Sequence, residues 1–379
     1  MMDAQRFDDV AAGARELRAT VERGDIALRV ARGAAWSLEY TSTKDAQPEV
    51  ERDGDTLRVK QQGHGRLDVR ITAPDLERVE LRTGAGRVEA TGTRGRSRLV
   101  SGHGAVTLRD ASGEAELDTG NGAVDVEGFD GALGAASGNG RVRVARLEGR
   151  ARLKTGNGAV EVLDAEGRVQ ASTGNGDMAL ARVGGEAELK TGHGAITIGE
   201  PRELAVRATT ALGAITVTDG SARDLRLKSM MGEVRCSAAL APGRHELETA
   251  MGGVTLELPD DVSARVDGQT AFGTVRSDFP LVRVGRSGPM GFGGVRMVGG
   301  IGGGAPLVEL ALRSSKGDIT LSRRPEAPAW PSGTATPREA SAVATDVGAQ
   351  SPTLAVLEAL ARGEVTPAEA EDLLSRRAP

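Results

Sequence analysis

The chain has 379 residues and carries 53 Gly, two Trp, one Tyr and five Phe, with 48 Lys and Arg against 53 Asp and Glu and a formal net charge of −5. So few rings cannot fill an ordinary globular core of this length, while 39% hydrophobic residues argue against wholesale disorder. The interspersed acidic balance gives no basic stripe for nucleic acid, and a single cysteine, Cys236, excludes an internal disulfide.

The first residues, Met1 to Asp9, lack the apolar core of a secretory signal, and no run of 18 apolar residues marks a transmembrane helix. The expected location is therefore the cytoplasm, with no direct membrane insertion and membrane association only through a partner. Residues 1–82 show alternation at Asp25-Ile26-Ala27-Leu28-Arg29-Val30 and Trp36-Ser37-Leu38-Glu39-Tyr40. They read as an N-terminal cap and irregular first coils, because an open end would expose unpaired strand edges.

Residues 83–322 are organised by repetition. A phrase of the form Ser/Thr-Gly-X-Gly-X-apolar-X-apolar begins at Thr83, Ser101, Thr119, Ser137, Thr155, Thr173 and Thr191, always 18 residues apart. Further copies at Thr210, Ser229, Thr249 and Thr270 relax to spacings of 19, 19, 20 and 21, and a last copy starts at Ser314 after an interruption. Alternating residues such as Val124-Asp125-Val126 and Ala151-Arg152-Leu153 predict two short strands per unit, or three, with Gly149, Gly167 and Gly185 at corners. Units that cannot bury a face alone must stack. The fold class is thus all-β: a single-chain parallel β-solenoid, or β-helix, with about 18 residues per coil. About a dozen coils would make a rod of roughly 50–60 Å.

Residues 285–306, rich in glycine, read as a loop inserted into the last coils. Residues 323–352, rich in Pro, Ala, Ser and Thr, read as a disordered linker. Residues 353–379 predict a small α-helical hairpin: Gly363 stops the first helix, and Thr366, Pro367 and Glu369 start the second. Helices this short are marginal alone, so Leu354, Leu357, Leu360, Leu373 and Leu374 need another surface. They are the candidate oligomerisation residues, and the expected partner is the chain itself or another protein.

The phrases Thr119-Gly120-Asn121-Gly122-Ala123-Val124 and Ser314-Ser315-Lys316-Gly317-Asp318-Ile319, with the run through Gly24 to Val30, resemble the DUF4097 family, often labelled "putative adhesin". The resemblance covers about residues 15–322 and implies architecture rather than activity. The segment Leu357 to Ala370 looks like a SHOCT-like helical hairpin, which implies an oligomerisation role. The family resemblance also implies a scaffold linked to the bacterial envelope or its stress response.

Candidate chemistry is sparse. The third position of the phrase forms a column of His103, Asn121, Asn139, Asn157, Asn175 and His193. It reads as a structural turn ladder, since Asn tolerates left-handed turns and stacks amide on amide. The two histidines lie roughly 24 Å apart at solenoid rise and cannot share an ion, so no metal site or cofactor is expected. Later the same position becomes Leu212, Met231, Met251 and Phe272. These form a docking seam, or they mark a corner turned inward as the coil widens, which is the favoured reading. The carboxylates Asp110, Asp118, Asp125 and Glu127 admit a polysaccharide-active β-helix enzyme, but aromatic stacking platforms are missing and alternating charge is expected on strands. A third reading is a bactofilin-like polymer grown by end-to-end stacking. The main expectation is a non-catalytic scaffold.

Overall fold

The computed structural model describes residues 3–5, 13–287, 294–302 and 308–324, and all their regular structure is strand. The predicted linker 323–352, beyond its first two residues, and the predicted hairpin 353–379 lie outside the described residues. The chain is a parallel β-solenoid of roughly 18 residues per coil.

Each regular coil is one bent strand. Val106–Asn121, Val124–Asn139, Val142–Asn157, Val160–Asn175 and Met178–His193 are 16 residues each, paired in parallel so that Val124, Val142, Val160 and Met178 stand in one column. In the coil from Val124 the bends fall at Gly128 (φ 69°) and Gly131 (φ 131°). They divide it into faces of unequal length, 124–127, 129–130 and 132–139. The expected two or three short strands are therefore three faces of one hydrogen-bonded ladder.

Alternation on these faces fills the interior. Val142, Val144, Leu147, Ala151, Leu153 and Thr155 point inward in one coil, and Val160, Val162, Ala165, Val169, Ala171 and Thr173 in the next, all buried. Each buried Val or Leu contributes about 1.5–3 kcal/mol. Only Phe129 supplies a ring to this regular column, which accounts for the scarcity of aromatics.

The corner of Gly113, Gly131, Gly149, Gly167 and Gly185 demands glycine. A Cβ on Gly167 would stand 2.0 Å from the Gly149 carbonyl oxygen. The other corner is also left-handed but uses side chains: Asp110 (φ 50°), Arg146 (55°), Asp164 (51°) and Arg182 (54°). Such conformations cost roughly 1–2 kcal/mol each. Part of that is offset where Arg182 donates twice to Asp164, at 2.6 and 2.8 Å. These bonds hold the Asp164 carboxyl below the usual carboxylate range, against a smaller desolvation effect.

Both ends depart from sequence order. Glu16–Arg23 lies between Thr56–Gln62 and Arg78–Ala85, and Ile26–Val30 between Leu67–Ala73 and Val88–Thr91. The Ser314 phrase does not close the array: Val308–Lys316 is inserted between Gly243–Met251 and Ala264–Phe272. Among the described residues antiparallel strands cover the outer edges except at Val275–Ser277, which pairs only with Ile319–Arg323. Gln47–Asp53 and Ser37–Ser42 do so at one end, and Gly294–Ile301 followed by Val282–Ser287 at the other. The reading of 285–306 as a loop is thus corrected for 285–287 and 294–301, which are strand. An uncovered parallel edge would leave a row of backbone donors and acceptors unpaired. Gly294 permits the close approach, since its Cβ would lie 2.3 Å from the Thr270 carbonyl oxygen.

Candidate functional site

Two polar ladders run along the corner that precedes each apolar phrase. The first is buried. The Ser or Thr that opens each phrase turns inward and donates its hydroxyl to the second glycine's carbonyl in the adjoining coil: Thr119 to Gly104 (2.8 Å), Thr155 to Gly140 (2.8 Å), Thr191 to Gly176 (3.1 Å). The ladder follows spatial order, with Ser314 donating to Gly252 and Thr270 to Gly317. It confirms the threading of the last coils independently of the strand register. Thr155→Val keeps the shape but leaves the Gly140 carbonyl without its donor. It is expected to lower stability by about 1–3 kcal/mol, and Thr155→Ser by far less, read from denaturant midpoints.

The second ladder is exposed. Asn139 donates to Asn121, Asn157 to Asn139 and Asn175 to Asn157, each at 2.8 Å, and Asn121 meets His103 Nδ1 at 3.1 Å. His193 stands next in register above Asn175. Every amide that could recognise a ligand here is engaged with the next coil.

Beyond His193 the column continues as Leu212, Met231, Met251, Lys316 and Phe272. The structure brings the first three together and sets Lys316 between Met251 and Phe272. Met231, Met251 and Phe272 are 43%, 46% and 64% exposed, so the corner does not turn inward. The added residues of the wider coils fall elsewhere, with the register shifting after Gly184 and after Leu204. At this corner Gly213, Gly232 and Gly252 remain pressed against the neighbouring backbone. Leu354, Leu357, Leu360, Leu373 and Leu374 lie outside the described residues.

The candidate carboxylates do not converge. Asp110 sits at a corner and Asp118 on the long face. Asp125 and Glu127 point outward from a third face, where Arg141 approaches Asp125 at 3.6 Å and Arg146 approaches Glu127 at 3.1 Å. Glu161, on the same face, has its carboxyl pushed up by burial, opposed by Arg141 and Arg143. Arg143 stands in register between Asp125 and Glu161, so the two acids flank a cation rather than an open cleft. Cys236 is fully buried, with its thiol pushed up to about 12 by desolvation. Buried His245 places Nε2 2.9 Å from the Ala241 carbonyl, and burial pushes its pKa down. Among the described residues no group of three His, Cys, Asp or Glu could hold a metal ion, and no helix is long and apolar enough to cross a membrane.

Sequence reasoning singled out the Asn column but missed the hydroxyl ladder beside it. The Ser/Thr at the head of the phrase was the signal, since a residue that is always a hydroxyl on an inward position needs an acceptor.

Comparison with curated proteins finds no match. Among solved structures, the crystal structure of a "putative cell adhesion protein" from Clostridium sporogenes is similar at 8% identity, covering 86% of this chain and 99% of that chain. Its TM-score of 0.18 is too low for the superposition to bear on function. The family model for Toastrack DUF4097 matches residues 14–289. That span holds the hydroxyl ladder from Thr83 to Thr270 and the glycine corners, so the chain belongs to the Toastrack DUF4097 family.

Proposed function

We propose that this protein is a non-catalytic scaffold or interaction protein of the bacterial envelope or its stress response. Its solenoid would be a rigid display surface, and residues 353–379 would mediate self-association or docking on a partner. What supports this reading is the use made of polar groups: the hydroxyls and amides at the phrase corner bond from coil to coil, and the outward carboxylates are spread over different faces among arginines. Antiparallel strands over most of both ends of the parallel stack argue against growth by end-to-end stacking. A tether of roughly 30 residues would raise the effective concentration of two weak contacts without new chemistry.

The test is light scattering behind a sizing column. The full chain is expected to self-associate, and a chain ending at Arg324 or a full chain carrying Leu357→Asp and Leu360→Asp is expected to lose the tail-mediated step of that association. A double variant as associated as its parent would refute the role of the leucines. The exposed seam is a second contact within this reading. Met251→Asp, on a side chain that is already half in water, is expected to weaken partner binding at least tenfold while moving the unfolding midpoint little. Equal loss of both would remove the seam from the proposal.

A further inference from the structure

The longest face of the solenoid carries a charge pattern that its own packing does not require. Glu114, Glu116 and Asp118 point outward from one coil, Ala132, Gly134 and Ala136 from the next, and Arg150, Arg152 and Lys154 from the one after, all in register. Two rows of opposite sign thus flank a bare coil. The depression between them, of ≈ 510 Å³, is lined by Glu114, Glu116, Ala132, Gly134, Arg150 and Arg152 among others. The rows are two coils, or about 9.6 Å, apart, and no ion pair joins them among the described residues. Glu114 and Glu116 instead turn away to Arg96 and Arg98, at 2.6 and 2.9 Å. On the basic side Arg152 donates only to Gln170, and neither Arg150 nor Lys154 has an ion pair among the described residues. Gly134 is not needed by the fold: a Cβ there would come no nearer than 3.8 Å to the Ala115 carbonyl oxygen. A charged side chain would fit, as it does in the coils on either side.

We propose that this face is an interface with a second copy of the chain, packed antiparallel about a two-fold axis that runs along the strand at Ala132, Gly134 and Ala136. Such an axis keeps position along the strand and reverses the order of the coils. Glu114 then faces Arg150 of the partner subunit, Glu116 faces Arg152 of the partner subunit and Asp118 faces Lys154 of the partner subunit, and every pair occurs twice. The bare coil meets itself, where small side chains let two sheets close to about 10 Å. One coil further out Arg96 meets Arg168 of the partner subunit, each already held by its own Glu114 or Glu186. Competing arrangements are repelled. A parallel pair would set Glu114 against Asp118, and an axis one coil further on would set Glu114 and Glu116 against Glu186 and Glu188. Asp118 has no ion pair of its own, and desolvation followed by the neighbouring Glu116 charge pushes its carboxyl up. A facing ammonium would relieve both.

This contact lies on the solenoid and is independent of residues 353–379, so the two can fail separately. In the full-length chain, Gly134→Cys places a thiol on the axis while buried Cys236 stays unreactive. A short bis-maleimide is expected to link Gly134→Cys into a covalent dimer at least tenfold faster than Gln170→Cys, whose symmetry mates would be about 19 Å apart. Arg152→Glu is expected to weaken the dimer at least tenfold at low salt, and adding Glu116→Arg to restore it. Equal linking rates, or a double variant no better than the single one, would overturn the face contact and leave tail-mediated association standing. A Leu357→Asp and Leu360→Asp chain that falls from a larger assembly to a dimer, with Gly134→Cys linking intact, would support the face contact.

Discussion

Gly167→Ala is expected to destabilise the protein by about 4 kcal/mol or more, a size reserved for a few mechanisms. Gly167 has φ 122°, a conformation that L side chains rarely adopt. Its missing Cβ would lie 2.0, 2.9 and 3.3 Å from the carbonyl oxygen, carbonyl carbon and Cα of Gly149. All three are backbone atoms, so no rotamer change makes room. Moving coil 167 away from coil 149 would stretch the ladder on both sides of the corner. Gly134→Ala is the matched control, with its new methyl in open space and less unfolded-state entropy to lose. It is expected to be neutral or to stabilise by up to about 1 kcal/mol. Denaturant midpoints of the two full-length variants check this, and coincident midpoints would mean that the corner contact is soft.

The parts of the fold that repeat identically are legible in the sequence. An inward Val or Leu returns every 18 residues because each coil meets its neighbour in the same register, and the period therefore survives in plain text. The second corner is different. Asp110, Arg146, Asp164 and Arg182 adopt left-handed φ without being glycine, so their column is hidden among charges that any solvent-facing strand would carry. Part of its strain is offset by the Arg182–Asp164 pair, an interaction that exists only once the coils are stacked.

The seam shows the opposite failure. The loss of polarity from Leu212 to Phe272 was visible, but its direction was misread. A longer coil gives no sign of which corner or face receives the added residues. Nor does any phrase encode the coil it will lie against. The hydroxyl of Thr270 would bond equally well to the second glycine of any preceding coil, and only the folded chain shows that this glycine is Gly317. The bare coil at Ala132, Gly134 and Ala136 was likewise present as letters. It acquires meaning only when register sets it between one acidic and one basic row.

Threading of the last coils carries the second large effect. In a solenoid stacked in sequence order, removing the final coil exposes the one before it and leaves the rest intact, because each repeat contacts only its neighbours. Here a chain stopped after residue 302 loses the strand that joins Gly243–Met251 to Ala264–Phe272. Hydrogen exchange is expected to show Ala264–Phe272 and its antiparallel cover fully unprotected, Gly243–Met251 weakened, and Val142–Asn157 unchanged. Persistent protection of Ala264–Phe272 would refute the insertion. Leu312→Ala probes the same joint in the intact chain. Leu312 is 1% exposed, and its truncation is expected to cost about 2–5 kcal/mol, a core value on the inserted strand Val308–Lys316. The joint also bears on how the solenoid resists load. Tension applied beyond Arg324 reaches Val308–Arg323, which is hydrogen-bonded along both edges. It must shear two parallel ladders together rather than peel one terminal coil, and the N-terminal insertion of Glu16–Val30 resists pulling from the other end in the same way.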